Sequence, residues 1–294
     1  RRRLRLILLI SFALLVLVAC VLVAGVLWWR SQRQQPPEPL HWQGAGTTDS
    51  ISEIVLGRCF TYTRVKRPEL RDKNCPAIWN AFKAAFLFKD QCNITEEDYQ
   101  PLQYLANQTL PCNKFLYWSK AYTLVHQYTK VQQEMFTLED TLLGYMADGL
   151  DWCGDPGTSE MNHKSCPHWR KDCGNNPKSV FWKMASKWFA DAACGVVHVM
   201  LNGSLGKPAF QQTSTFGSVE VHNLHPDRVP LLEAWVMHDI GGNFSDSCSG
   251  SSINELRSLL NKRKIHLMCQ DDYKPVRLVQ CVSHSEHSSC SLTK

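Results

Sequence analysis

The chain is predicted to be an α+β protein: a mainly helical half, then an α/β half on a small, largely parallel sheet, held by six disulfides and preceded by one transmembrane helix. Three observations predict this. Apolar residues recur at helical spacing up to Cys194, and after it they fall in short runs around one amphipathic helix. Twelve of the thirteen cysteines lie between Cys59 and Cys290, and no two have the C-x-x-C spacing of a zinc site or redox motif. Ile7 to Trp29 contains no charged residue.

That last run, as a helix of roughly 35 Å, spans a bilayer core and is too long for a cleavable signal peptide. Four arginines precede it and two follow, and it ends in Trp28-Trp29-Arg30. Charge bias and aromatic belt predict a type II signal-anchor: residues 1–6 a cytosolic stub, 7–29 the span in the lipid bilayer, 30–50 a stalk. Cys20 is read as an inert residue facing lipid. Pro36-Pro37 and Gly44-Ala45-Gly46 suit the stalk. The remainder, 51–294, is an ectodomain with a mainly helical half over about 51–193 and an α/β half over about 194–294.

In the helical half, Pro76 opens a helix with Ile78, Trp79, Phe82, Ala85 and Phe86 on one face. Thr95 with Asp98 makes a capping pattern, and Ser119 is the predicted cap of a helix with Leu124, Val125, Tyr128 and Val131 as its stripe. Asn176-Pro177 starts a helix whose core face is Phe181, Met184, Trp188 and Ala192. In the second half, Val196–Leu201, Ser218–Val221, Glu233–Met237, Ile265–Cys269 and Leu278–Val282 are predicted strands. The helix among them carries Ile253, Leu256, Leu259 and Leu260, with Ser252 and Glu255 as its capping box. Strand–helix–strand order favours parallel pairing, and a site in the cleft between the halves.

The net charge of +5 is misleading, because six arginines and no acid fall in residues 1–33, leaving −1 for the rest. A nearly neutral body has no electrostatic reason to seek nucleic acid. An even set of ectodomain cysteines and four N-x-[S/T] sequons, at Asn93, Asn107, Asn202 and Asn243, place the body in an oxidising, extracellular compartment.

There is no H-E-x-x-H, Walker A loop, G-x-S-x-G elbow or G-x-G-x-x-G, and the eleven histidines show no metal-ligand spacing. No metal site is predicted. What remains are carboxylates and aromatics in unusual settings. On a strand, Glu220 shares a face with Ser218, placing a carboxylate where it can stand beside a developing cation, or simply at a solvated edge. Trp182 and Ser186 lie one turn apart, off the core stripe of their helix, as a second wall or as ordinary packing. Glu139 and Asp148 are nine residues apart, on opposite sides of a continuous helix. They reach one pocket only if that helix breaks, and Gly144 or Gly149 permits a break.

Trp118-Ser119, Thr137-Leu138-Glu139-Asp140-Thr141, Ser179-Val180-Phe181-Trp182-Lys183 and Ser214-Thr215-Phe216-Gly217-Ser218-Val219-Glu220-Val221 resemble the ADP-ribosyl cyclase/cyclic ADP-ribose hydrolase family. The resemblance covers roughly residues 51–294, and the type II anchor is similar to that of the mammalian leukocyte-surface branch. It implies an ectoenzyme of the plasma membrane acting on NAD and cyclic ADP-ribose, with NAD as substrate and no cofactor. It implies Glu220 as the catalytic carboxylate and Trp118 and Trp182 as pocket walls, with Glu139 and Asp148 on the nicotinamide carboxamide. Ser186, Thr215 and Phe216 are implied on ribose and phosphates, beside Ser119 and Lys120. Lys120 departs from the arginine of close relatives, so a bidentate fork becomes a point charge. The implied pairs are Cys59–Cys75, Cys92–Cys173, Cys112–Cys194, Cys153–Cys166, Cys248–Cys269 and Cys281–Cys290. In the family Cys112 and Cys194 are linked to hydrolysis of the cyclic product; the physical expectation is a structural bridge shaping the site from beside it. Homodimerisation stays open, and no protein partner is indicated. The competing reading is a catalytically silent, glycosylated surface receptor with a nucleotide pocket.

Overall fold

A computed structural model describes residues 16–25, 28 and 41–290. The chain divides into two units, residues 1–41 and 42–294. In the first, residues 16–25 are helical and exposed, Cys20 among them. Among the described residues no helix is long and apolar enough to cross a membrane. The rest of the 7–29 run, the 1–6 stub and most of the stalk lie outside the described residues.

The second unit is built on four parallel strands, β2 (Leu116–Ser119), β4 (Val196–Asn202), β5 (Leu231–Met237) and β6 (His266–Asp271), hydrogen-bonded in that order. Trp118 pairs with Met200, Met200 with Trp235, and Trp235 with Gln270. β2, β4 and β5 are largely buried on both faces, as parallel strands usually are, while the edge strand β6 leaves His266, Met268 and Gln270 exposed. Along β4, Val197, Val199 and Leu201 enter one core with Phe181 and Phe189 of the Pro177–Ala192 helix and Leu256 and Leu260 of the Ser251–Lys262 helix. The alternate Met200 enters another, with Leu116, Trp235, Val125 and Tyr128 of the Tyr122–Val131 helix and Val276 of the Lys274–Val282 helix.

Several local expectations are revised. β2 comes from the stretch read as mainly helical, so the two halves share one sheet. Two residues of the expected stalk, Gly44–Ala45, form β1 and pair antiparallel with β3 (Ser165–Cys166), so the fold begins inside that stretch. Leu278–Val282 is helical, not extended, because Pro275 opens a helix there and Val276 supplies its buried anchor. Ser119 ends a strand and caps nothing. Ser252 turns away from its helix, donating to Asp246 Oδ2 and accepting from the Phe210 amide, so no capping box forms with Glu255. Asn176 does cap its helix, accepting from the Ser179 amide at 2.9 Å, and Thr95 bonds Asp98 through amide and hydroxyl. The six disulfides have the pairing that the resemblance implies.

Candidate active site

A cleft of about 480 Å³ opens at the carboxyl end of β2, where ligands of open α/β sheets commonly sit. Trp118, Ser119 and Lys120 arrive there as the strand ends. Lys120 takes a left-handed backbone, φ 57°, which costs energy in a non-glycine residue. Asn202 Nδ2, at the end of β4, donates to its carbonyl oxygen at 3.3 Å.

Glu139 and Asp148 both line the cleft. The break that permits this falls at Thr141, extended at φ −86° and ψ 165°, between a tight turn at Leu138–Asp140 and the Leu142–Ala147 helix. Gly144 serves a different purpose: a Cβ there would stand 2.1 Å from the Leu138 carbonyl oxygen, so only glycine lets the helix lie against the Glu139 turn. Gly149, at φ 71°, turns the chain away after Asp148. Trp118 Nε1 donates to Glu139 Oε2 at 3.2 Å, and His126 Nε2 lies 4.0 Å from the same oxygen. Burial, the largest influence, holds the Glu139 carboxyl above its ordinary range against these contacts.

Trp182 and Ser186 line the cleft while Phe181, Met184 and Trp188 of the same helix are buried in the core. Trp182 meets Phe181 edge-to-face at 5.2 Å, so the core fixes the wall.

Glu220 is not on a strand. Phe216–Glu220 is a wide helical turn running into Val221–Asn223. Ser214 nucleates it: its hydroxyl accepts from the Gly217 amide at 3.0 Å, and its carbonyl accepts from the Ser218 amide at 2.8 Å. A Cβ on Gly217 would stand 2.3 Å from the Gln211 carbonyl oxygen, so glycine is required where this turn meets the preceding loop. As a result Ser218 faces solvent and Glu220, 7% exposed, faces the cleft. Burial, chiefly, pushes its carboxyl up to about 8; the Ser186 hydroxyl favours the ion, and the Glu139 charge opposes it.

Thr215 lines the cleft, but Phe216 does not: it is buried against Tyr117 and Phe210, holding the turn from behind. Cys112–Cys194 is not beside the site either. It joins the segments entering β2 and β4, a strand's length from the carboxyl ends where the cleft opens. Sequence reasoning missed Tyr122, Trp169, Arg170, Lys178, Gln211, Thr213 and Ser214, all of which line the cleft. Only Ser214 carried a signal, as the first residue of the Ser214–Val221 motif. Arg170 lies over the Trp169 ring at 4.2 Å, and Lys178 pairs with Asp151 at 2.7 Å. Among the described residues no cluster of three histidine, cysteine or acidic side chains could hold a metal.

A cleft lined by two largely buried carboxylates and two indoles suits a cationic aromatic group, and the exposed Lys120 and Arg170 suit phosphates. Residues 48–290 match the family model described as ADP-ribosyl cyclase. A rat protein named ADP-ribosyl cyclase/cyclic ADP-ribose hydrolase 1 is 58% identical over 267 residues, 91% of this chain and 86% of that protein. The structure of porcine CD38 with a covalent intermediate, ribo-F-ribose-5'-phosphate, is similar at TM-score 0.76 and 54% identity, covering 79% of this chain and 100% of that one. Aplysia cyclase, complexed with substrate NGD and product cGDPR, matches at TM-score 0.78 and 31% identity, over 84% of this chain and 99% of that one. With a family model spanning most of its length and such relatives, the chain belongs to the ADP-ribosyl cyclase family.

Proposed function

We infer that this protein cleaves the bond between nicotinamide and ribose in NAD, giving ADP-ribose and cyclic ADP-ribose, and hydrolyses the cyclic product. The observation that carries the reading is Glu220, an almost fully buried carboxylate facing a cleft walled by Trp118 and Trp182. Nicotinamide is attached as a cationic pyridinium and leaves neutral, so no general acid is needed, unlike an O-glycoside. One carboxylate at the anomeric carbon suffices to stabilise the oxocarbenium-like state. The pyridinium also assists its own cleavage: a cation beside Glu220 favours the ionised carboxylate, which burial otherwise disfavours. The covalent intermediate in the porcine relative supports direct capture of the anomeric carbon by Glu220.

Glu139 and Asp148 receive the carboxamide of the base, Trp118 and Trp182 sandwich the rings, and Ser186, Thr215, Ser119 and Lys120 hold ribose and phosphates. Phe216 serves by bracing the turn. Water capture of the ribosyl intermediate gives ADP-ribose, and attack by the adenine of the same molecule gives the cyclic product. The Ile7–Trp29 run, the six disulfides and the sequons support a type II ectoenzyme of the plasma membrane. Asn93, Asn107 and Asn243 are exposed as glycan acceptors should be, and Asn202 is half-buried. Incubating the purified ectodomain with NAD tests the reaction: nicotinamide release with both ribosyl products supports it, and no release leaves the silent-receptor reading.

A further inference from the structure

We propose that Tyr122 is a positioning residue for this reaction, holding the Asp148 carboxylate in the orientation that receives the base. The proposal rests on the NAD-cleaving reading of the cleft. Tyr122 opens the helix that follows β2, and its hydroxyl donates to Asp148 Oδ2 at 2.9 Å. Among the described residues this is the one hydrogen bond made to that carboxylate. The Asp148 backbone is fixed separately, because Arg58 Nη1 donates to its carbonyl oxygen at 2.6 Å and to that of Met146 at 3.3 Å. The main chain is therefore clamped by a distant helix, and only Tyr122 selects among the rotamers left to the side chain.

The tyrosine is itself held. Its ring meets His126, one helical turn on, at 4.3 Å and Trp118 at 5.5 Å, both edge-to-face. His126 in turn backs Glu139 at 4.0 Å, and Trp118 bonds the same glutamate. One helix face thus buttresses both carboxylates assigned to the carboxamide, each through a different side chain. The hydroxyl also stays a donor throughout physiological pH, since burial and the bond to Asp148 push it up to about 12.

Tyr122 is 46% exposed, so Tyr122→Phe removes one hydroxyl without opening the core. Steady-state nicotinamide release from NAD, inhibition by free nicotinamide and thermal midpoints are measured for Tyr122→Phe, Asp148→Ala and the double variant. The expected result is an about three- to tenfold rise in both KM and the nicotinamide inhibition constant for Tyr122→Phe. Turnover should stay within about twofold, with an unchanged thermal midpoint and no further effect in the Asp148→Ala background. Unchanged KM and inhibition constant overturn the proposal, as does an equal effect with and without Asp148. A wild-type protein that releases no nicotinamide overturns the reaction itself, a separate outcome from wild-type activity that Tyr122→Phe leaves untouched.

Discussion

Glu220→Gln should make this protein slower and, at alkaline pH, more stable. The substitution keeps the shape of the side chain and removes its charge. If the carboxylate stabilises the ribosyl cation, single-turnover nicotinamide release should fall by about 10²–10⁴, equivalent to roughly 3–5 kcal/mol of transition-state stabilisation. NAD affinity should persist, because the indole walls and phosphate contacts carry ground-state binding. The stability effect follows from the same burial. The folded protein holds this carboxyl at about 8, against an ordinary 4.5, so it retains a proton that the unfolded chain gives up in between. A raised carboxyl contributes stability that is full below the unfolded value and is lost as pH rises through the folded one. That gap corresponds to an upper bound of roughly 5 kcal/mol. Denaturant titrations should therefore coincide for wild type and variant near pH 4, and the variant should gain between about 4.5 and 8 and level off above that. A loss of turnover below tenfold with the fold intact would refute Glu220 as the catalytic group. A constant stability difference across that range would refute its description as a buried acid.

The same carboxyl predicts the pH profile: kcat/KM should rise toward a plateau with a limb near 8, because the free enzyme must lose that proton. The limb for kcat should lie lower, since the bound pyridinium favours the anion; the reverse order would contradict the proposed charge pairing. Glu139→Ala should change the ratio of cyclic to linear product more than total nicotinamide release, read by chromatography of both products. An unchanged ratio with activity abolished would instead place Glu139 in bond breaking. Thiol titration of the denatured, non-reduced ectodomain should find no free cysteine, with each of the six bridges worth roughly 2–5 kcal/mol. Two or more free thiols would break that pairing.

The sequence by itself determined whatever depends on near neighbours along the chain. The parallel sheet was legible because strands buried on both faces read as short apolar runs separated by a helix, as at Val196–Leu201 and Glu233–Met237. The division of the Pro177–Ala192 helix into a core stripe and a Trp182/Ser186 cleft face was legible because helical spacing alone separates them. The candidate carboxylates were legible too, through motifs whose residue types match a known chemistry. Local pattern misled where packing overrules it. Ser218–Val221 alternates like a strand, yet Ser214 caps a turn and Gly217 lies against the Gln211 backbone, contacts that alternation does not encode. Phe216 braces the turn from behind the cleft because Tyr117, distant in the chain, encloses it together with Phe210. Only the tertiary structure brought Tyr122 onto Asp148 and broke the helix at Thr141 so that Glu139 and Asp148 share one cleft. It alone buried Glu220 deeply enough to raise its proton affinity. Burial and field are sums over residues far apart in sequence, so a carboxylate's reactivity is decided when the chain closes around it.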